Sequence, residues 1–292
     1  MKSKFGFKNN KFYSNMDKEF GIIDGISCFE WRQGVKHDCS KIMELKKSNV
    51  GYINKKNEIV DIEDTLVYPL IKSSSIKSNI LNNSERYVIV TQRKIKEDTS
   101  YIEKLVPKTW QYLKDNQECL DNRKSVIYKN CPEFSMFGVG DYSFSKYKVG
   151  VSGFYKNPIF ALLNSQEPMM MDDTCYFISF ENYDDAYMAM LILNSDLVQE
   201  FIKSISFLDS KRPFTKKILQ RINFEECLNI LSLGDLIDVE KKLCLPNFVN
   251  EICYTKFKKL LNHSGNGKDY KHIQDISKSY HSNKKGFQSV LQ

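Results

Sequence analysis

At 292 residues, with 41% hydrophobic and 13% aromatic side chains, the chain can build one large or two modest packed domains, and its composition excludes a disordered polypeptide. A net charge of +7 and a pI near 8.8 favour an acidic partner, nucleic acid first and an anionic membrane surface second. Only six of the 43 basic residues are arginine, and a lysine-, asparagine- and isoleucine-rich profile is what an AT-rich genome writes into any protein, so clustering has to carry the reading.

Residues 1–28 are polar and turn-rich, with Phe5, Phe7, Phe12, Tyr13 and Phe20 spaced through them, which predicts a segment that leans on something else. Phe29 to Leu45, FEWRQGVKHDCSKIMEL, combines aromatic, cationic and turn chemistry. Trp31 and Arg32 precede a Gly34 hinge, Lys36 and His37 follow it, and Asp38 to Ser40 offer caps for a helix carrying Ile42, Met43 and Leu45. Cations at a helix start suit a phosphate, because orphan N–H groups and the positive dipole end point the same way. The plainer alternative is a surface loop around a buried Trp31.

Tyr52 to Ile62 predicts a hairpin across Asn54–Asn57, ended by Pro69. KSSSIKSN, Lys72 to Asn79, is a cationic, hydroxyl-rich loop whose small side chains would let backbone amides approach a phosphate, or else a solvated loop. Arg86 to Gln92 is the clearest buried strand. Thr99 or Ser100 then caps a helix, Pro107 restarts a second one with Trp110, Leu113 and Leu120, and Phe137 to Tyr155 reads as turn and strands. A strand over Asp173–Phe180 precedes a helix from Asp184 to Ser206 with a break at Asn194–Ser195. In FLDSKRPFTKKILQRINF, residues 207–224, Lys211, Arg212, Lys216, Lys217 and Arg221 follow Asp209 with no further acid, a stripe suited to a nucleic-acid backbone or to a solvated face. Residues 226–262 look helical, and the tail from His263 is polar.

The eight cysteines form no C-x-x-C pair and read as buried thiols of a reducing compartment, with no metal site expected. No apolar run approaches the roughly 20 residues that span a bilayer, and the amino terminus lacks a signal-peptide core, so a cytoplasmic protein without membrane attachment is expected. No catalytic constellation is complete. F-G-V-G at Phe137–Gly140 lacks the strand and helix of a cofactor loop, and N-P-I-F at Asn157–Phe160 lacks the second proline of an amino-methyltransferase motif. Asp24, Glu44 and Lys46 have the loose spacing of a metal nuclease, but on a helix Glu44 and Lys46 would face apart.

FEWRQGVKHDCSKIMEL, VYPLIKSS, RYVIVTQRKIKEDTSYIEKLVPKTWQYL, FGVGDYSFSKYKVGVSGFYKNPIF, DDTCYFISF and LDSKRPFTKKILQRI, in that order, resemble the carboxy-terminal target recognition region of DNA adenine-N6 methyltransferases of bacterial type II restriction-modification systems. The resemblance covers most of residues 5–225. It implies a mixed α/β (α+β) fold with flanking helices. The divisions would be a docking segment (1–28), a recognition domain (29–225) and a helical segment with a polar tail (226–292). It also implies sequence-specific binding of double-stranded DNA and no cofactor in this chain. S-adenosylmethionine would belong to a separate methyltransferase catalytic subunit, docked on the aromatics of residues 5–20. The expected DNA contacts are Arg32, Lys36, His37, Lys72, Ser73, Ser74, Lys77, Lys94, Lys211, Arg212, Lys216, Lys217 and Arg221, with no catalytic residue. The competing expectation is a restriction endonuclease with the same recognition fold.

Overall fold

The computed structural model of the chain describes residues 6–8, 11–13 and 21–264. A short antiparallel hairpin, β1 (Gly6–Lys8) and β2 (Lys11–Tyr13), comes first, and β3 (Arg32–Gln33) follows. Tyr13 is buried in the core, so this ring is no free docking surface, while Phe5 and Phe20 lie outside the described residues. After Gly34 the helical expectation fails. A single turn forms, α1 (Ser40–Met43), and Glu44 opens a strand, β4 (Glu44–Ser48). Ile42 and Met43 are buried from the turn and Leu45 from the strand, so a helix-like period is satisfied by two elements.

β5 (Gly51–Asn54) and β6 (Ile59–Val60) make the expected hairpin, whose turn is held by the Asn54 side-chain oxygen accepting from the amides of Lys56 and Glu58. β7 (Val67–Ile71) contains Pro69, which does not end the unit. It takes the last pairing position on the neighbouring strand, where a missing N–H costs least. β8 (Ile80–Leu81) and β9 (Arg86–Ile89) follow. Then come α2 (Tyr101–Leu105), α3 (Pro107–Asp115), with proline at its first turn as expected, and α4 (Gln117–Asp121). β10 (Tyr147–Ser152), β11 (Ala161–Asn164), β12 (Met170–Met171) and β13 (Cys175–Phe180) complete the strands.

The long helix breaks where the sequence indicates. α5 (Tyr183–Asn194) is capped by Asn182, which accepts from the amide of Asp185 at 2.9 Å, and α6 (Asp196–Ser204) by Ser195, which accepts from the amide of Val198. α7 (Lys216–Leu219), α8 (Phe224–Ile230), α9 (Leu233–Lys242) and α10 (Glu251–Ser264) follow.

The strands form two mixed sheets, in the orders β12-β7-β9-β4-β5-β6 and β3-β13-β10-β11-β8. Each is antiparallel except for one edge pair, β12 with β7 and β11 with β8. This is the mixed α+β architecture expected. The first sheet packs its apolar face on α1–α4, and the second packs on α5, α6 and α8–α10. Residues 34–36 cross between them: the Val35 amide donates to the Met171 carbonyl at 2.7 Å and the Gly34 amide to Cys175, while Lys36 bridges to Phe137. A β-carbon on Gly34 would lie 2.1 Å from the Met171 carbonyl oxygen, and one on Gly138, at φ 65°, would lie 2.2 Å from that of Gly34. The expected hinge is therefore a tight backbone crossing, and glycine is there because nothing larger fits.

Candidate nucleic-acid interface

The crossing gathers polar side chains that the sequence spreads over nearly two hundred positions. Glu44, at the start of β4, is buried, yet Lys72 at the end of β7 places its ammonium 2.8 Å from one carboxylate oxygen and Lys55 lies 2.7 Å from the other. Burial alone would raise the Glu44 pKa, but the two ammonium groups outweigh it and hold the carboxyl below its ordinary value. Burial lowers Lys72, and Glu44 with Asp172, 3.3 Å away, more than reverses that. His37 is pushed down to about 4, first by burial and then opposed by Glu44, so the ring is neutral at pH 7. Its Nδ1 accepts from the amide of Cys39 at 3.2 Å, which leaves the proton on Nε2, facing Glu44 at 3.6 Å.

A second layer lies outside this buried knot. Lys36 sits 2.6 Å from Asp38 and 3.7 Å from Asp173, and Arg212 reaches the same Asp173 at 3.9 Å while donating to its carbonyl at 3.3 Å. Burial raises the Asp173 pKa despite these cations. Arg32 pairs with Glu30 and lies 4.5 Å from the centre of the Tyr142 ring, and Lys216 reaches Glu30 at 3.3 Å. A cleft of about 250 Å³ opens between the layers, lined by Lys36, His37, Ser40, Glu44, Lys72 and Asp172 among others.

Arg32, Lys36, Lys72, Arg212 and Lys216 are thus brought to one seam, each with an acidic partner. Ser74, Lys77, Lys94, Lys211 and Lys217 are exposed, and the four lysines have no ion pair among the described residues. His37 and Ser73 are buried, the latter donating to Thr174 Oγ1 at 2.8 Å. Arg221 holds Asp24 through two hydrogen bonds of 3.0 and 2.6 Å, and Tyr13 donates to the same carboxylate at 2.7 Å. His37, Ser73 and Arg221 are all engaged within the fold by these contacts.

One reading of the sequence needs correction in its reasoning. Glu44 and Lys46 lie on a strand, where i and i+2 share a side, so the helical objection to a nuclease set does not apply. The set is instead divided, because Glu44 is held by lysines and Asp24 by Arg221. Among the described residues no three His, Cys, Asp or Glu side chains are placed to hold a metal ion. Phe160 of the N-P-I-F run is fully buried, its amide and carbonyl strapped by Asn194. Sequence reasoning also missed Arg93 and Lys96, exposed beside Lys94, although the run R-K-I-K directly after the clearest strand was a visible signal.

Over 233 residues the chain is 46% identical to the type II methyltransferase M.NspV of Nostoc sp. (strain ATCC 29411 / PCC 7524), a match that takes 78% of this chain and 48% of that protein. The chain therefore spans about half the length of this relative. No protein-family model matches it. Among solved structures, the type IIL restriction-modification enzyme MmeI in complex with DNA overlays 83% of this chain and 32% of its own, with a TM-score of 0.45 and 9% identity. No described helix is long and apolar enough to cross a membrane. What the sequence identity establishes is that most of this chain is homologous to about half of a type II methyltransferase.

Proposed function

We propose that the chain supplies sequence-specific recognition of double-stranded DNA to an adenine-N6 methyltransferase of a restriction-modification system, with the S-adenosylmethionine-dependent half on another polypeptide in the cytoplasm. The observation that carries this reading is the 46% identity to a type II methyltransferase over 233 residues. The six sequence blocks that resemble target recognition regions support it, as does the exposure of Lys77, Lys94, Lys211 and Lys217. Exposed ammonium groups contact phosphates without sequence preference, while the ion-paired Arg32, Lys36 and Arg212 keep fixed orientations suited to base edges.

The test is duplex binding across a salt titration. Each phosphate contact contributes about 0.9 to the slope of log affinity against log salt, so Lys211→Ala with Lys217→Ala should lower the slope by about two. Arg212 and Lys216, already paired with Asp173 and Glu30, should contribute less. A wild-type chain that fails to bind duplex DNA at low salt overturns the reading. Methyl transfer to DNA by the purified chain alone would overturn the division of labour.

A further inference from the structure

The loop between β9 and α2 is built unlike an ordinary surface connection. Its outward residues, Arg93, Lys94, Ile95 and Lys96, are all exposed, with Ile95 at 49%. Its inward side is clamped. The Glu97 carboxylate accepts the backbone amides of Arg93 and Lys94, and the Glu97 amide donates back to the Lys94 carbonyl at 3.1 Å. Gln92, fully buried, donates to the Glu97 carbonyl and accepts from the Met136 amide at 2.8 Å, fixing the base of the loop to the core. On either side of it, Thr91 donates to the Phe134 carbonyl and Thr99 to that of Glu133. Lys96 adopts φ 63°, a conformation disfavoured for a lysine and held here by the surrounding bonds.

The consequence is a hydrogen-bonded knuckle whose neighbouring acids in sequence are already engaged. Glu97 is engaged by the loop's own amides and Asp98 by Ser100, and exposed Lys94 and Lys96 flank the exposed Ile95 in sequence. The 141–144 turn connects this knuckle to the seam. Arg93 lies 4.1 Å from the centre of the Phe144 ring, and Arg32, from the other sheet, lies 4.5 Å from that of Tyr142 two residues earlier.

We propose that the Arg93–Lys96 knuckle enters the minor groove of duplex DNA, with Ile95 wedged against a base step and Lys94 and Lys96 on the flanking phosphates. This rests on the DNA-recognition reading above and adds how the duplex is deformed. The tip is one side chain wide, too small to fill the major groove as a helix or a β-ribbon does, and it matches the pairing of apolar wedge and cations that unstacks DNA from the minor-groove side. The loop's own hydrogen bonds hold its conformation without a ligand, so little binding free energy goes into folding it.

The wedge can be tested without knowing the recognised site. The full chain is bound to relaxed closed-circular plasmid in the presence of topoisomerase I, and the linking-number distribution is read after deproteinisation. Unstacking lowers local twist, so the wild-type chain should shift the distribution. Ile95→Ser, at an exposed position that leaves the core untouched, should abolish the shift while duplex affinity at low salt stays within a few-fold. Lys94→Ala with Lys96→Ala should lower the salt slope by about two. A wild-type chain that binds plasmid without shifting the distribution, or an Ile95→Ser chain that still shifts it, overturns the wedge and leaves the recognition reading standing. Absence of any duplex binding overturns both.

Discussion

Lys148 is fully buried on β10 and has no carboxylate in ion-pair distance among the described residues. Its ammonium donates to the carbonyls of Ser145 at 2.5 Å and Met169 at 3.1 Å, and burial pushes its pKa down to about 7 from 10.5. Between those two values the unfolded chain binds a proton that the folded chain does not, so stability should rise with pH from 7 upward. His37, held at about 4 against 6.5, acts in the same sense at lower pH: stability should fall as pH drops from 6.5 toward 4 and the buried ring is charged. Buried thiols work the other way above pH 9, where Cys175, raised to about 12, stays protonated while the unfolded thiol ionises. The clean window for Lys148 is therefore pH 7 to 8.5. Denaturant unfolding there should show stability climbing by on the order of 1 kcal/mol per pH unit. The same titration of Lys148→Met should be flat. An identical slope in both proteins would mean that Lys148 stays charged in the fold.

At the scale of elements, the sequence was most readable where local chemistry is self-sufficient. Asn182 and Ser195 mark the starts of α5 and α6, Pro107 marks α3, and the hairpin turn at Asn54 carries its own side-chain bonds. The stretch after Gly34 departs from the helical expectation because β4 sits between its hairpin neighbour β5 and the distant β9, and the spacing of Ile42, Met43 and Leu45 carries no sign of the pairing with β9. The glycine itself was visible, but its reason was not. Gly34 and Gly138 are required by one another's backbone, and no spacing rule joins two glycines a hundred residues apart. Gly34→Ala would drive a β-carbon into the carbonyls of Met171 and Asp172, which are backbone and cannot rotate away. The expected cost is about 3 kcal/mol, read as a lowered denaturant midpoint. Gly21→Ala, with nothing within 4 Å of the new atom, is the control and should leave the midpoint unchanged.

The whole molecule explains why the candidate site was only half legible. Basic clusters could be counted along the chain, but that Lys36, Lys72 and Arg212 share the acids Asp172 and Asp173 depends on two sheets meeting at one crossing. Sign and clustering are sequence properties; neutralisation is a tertiary one. The same holds for the boundary expected near residue 225. The helices beyond it share a core with the second sheet: Phe224, Cys227, Leu236 and Phe257 are all fully buried in one cluster with Val149, Val151 and Ile178. Tyr187 of α5 donates to Glu240 of α9 at 2.7 Å, and the Glu240 carboxylate also accepts the amides of Phe248 and Val249, which ties the carboxy-terminal helices to the central one. A chain ended after Asn223 would uncover apolar side chains worth about 1.5–3 kcal/mol each, a total that exceeds the margin of an ordinary domain. It should therefore lose cooperative thermal unfolding, while a chain ended after Ser264 keeps every described core contact and should melt as the full chain does. A cooperative transition in the shorter chain would show that the second sheet needs only α5 and α6 to fold.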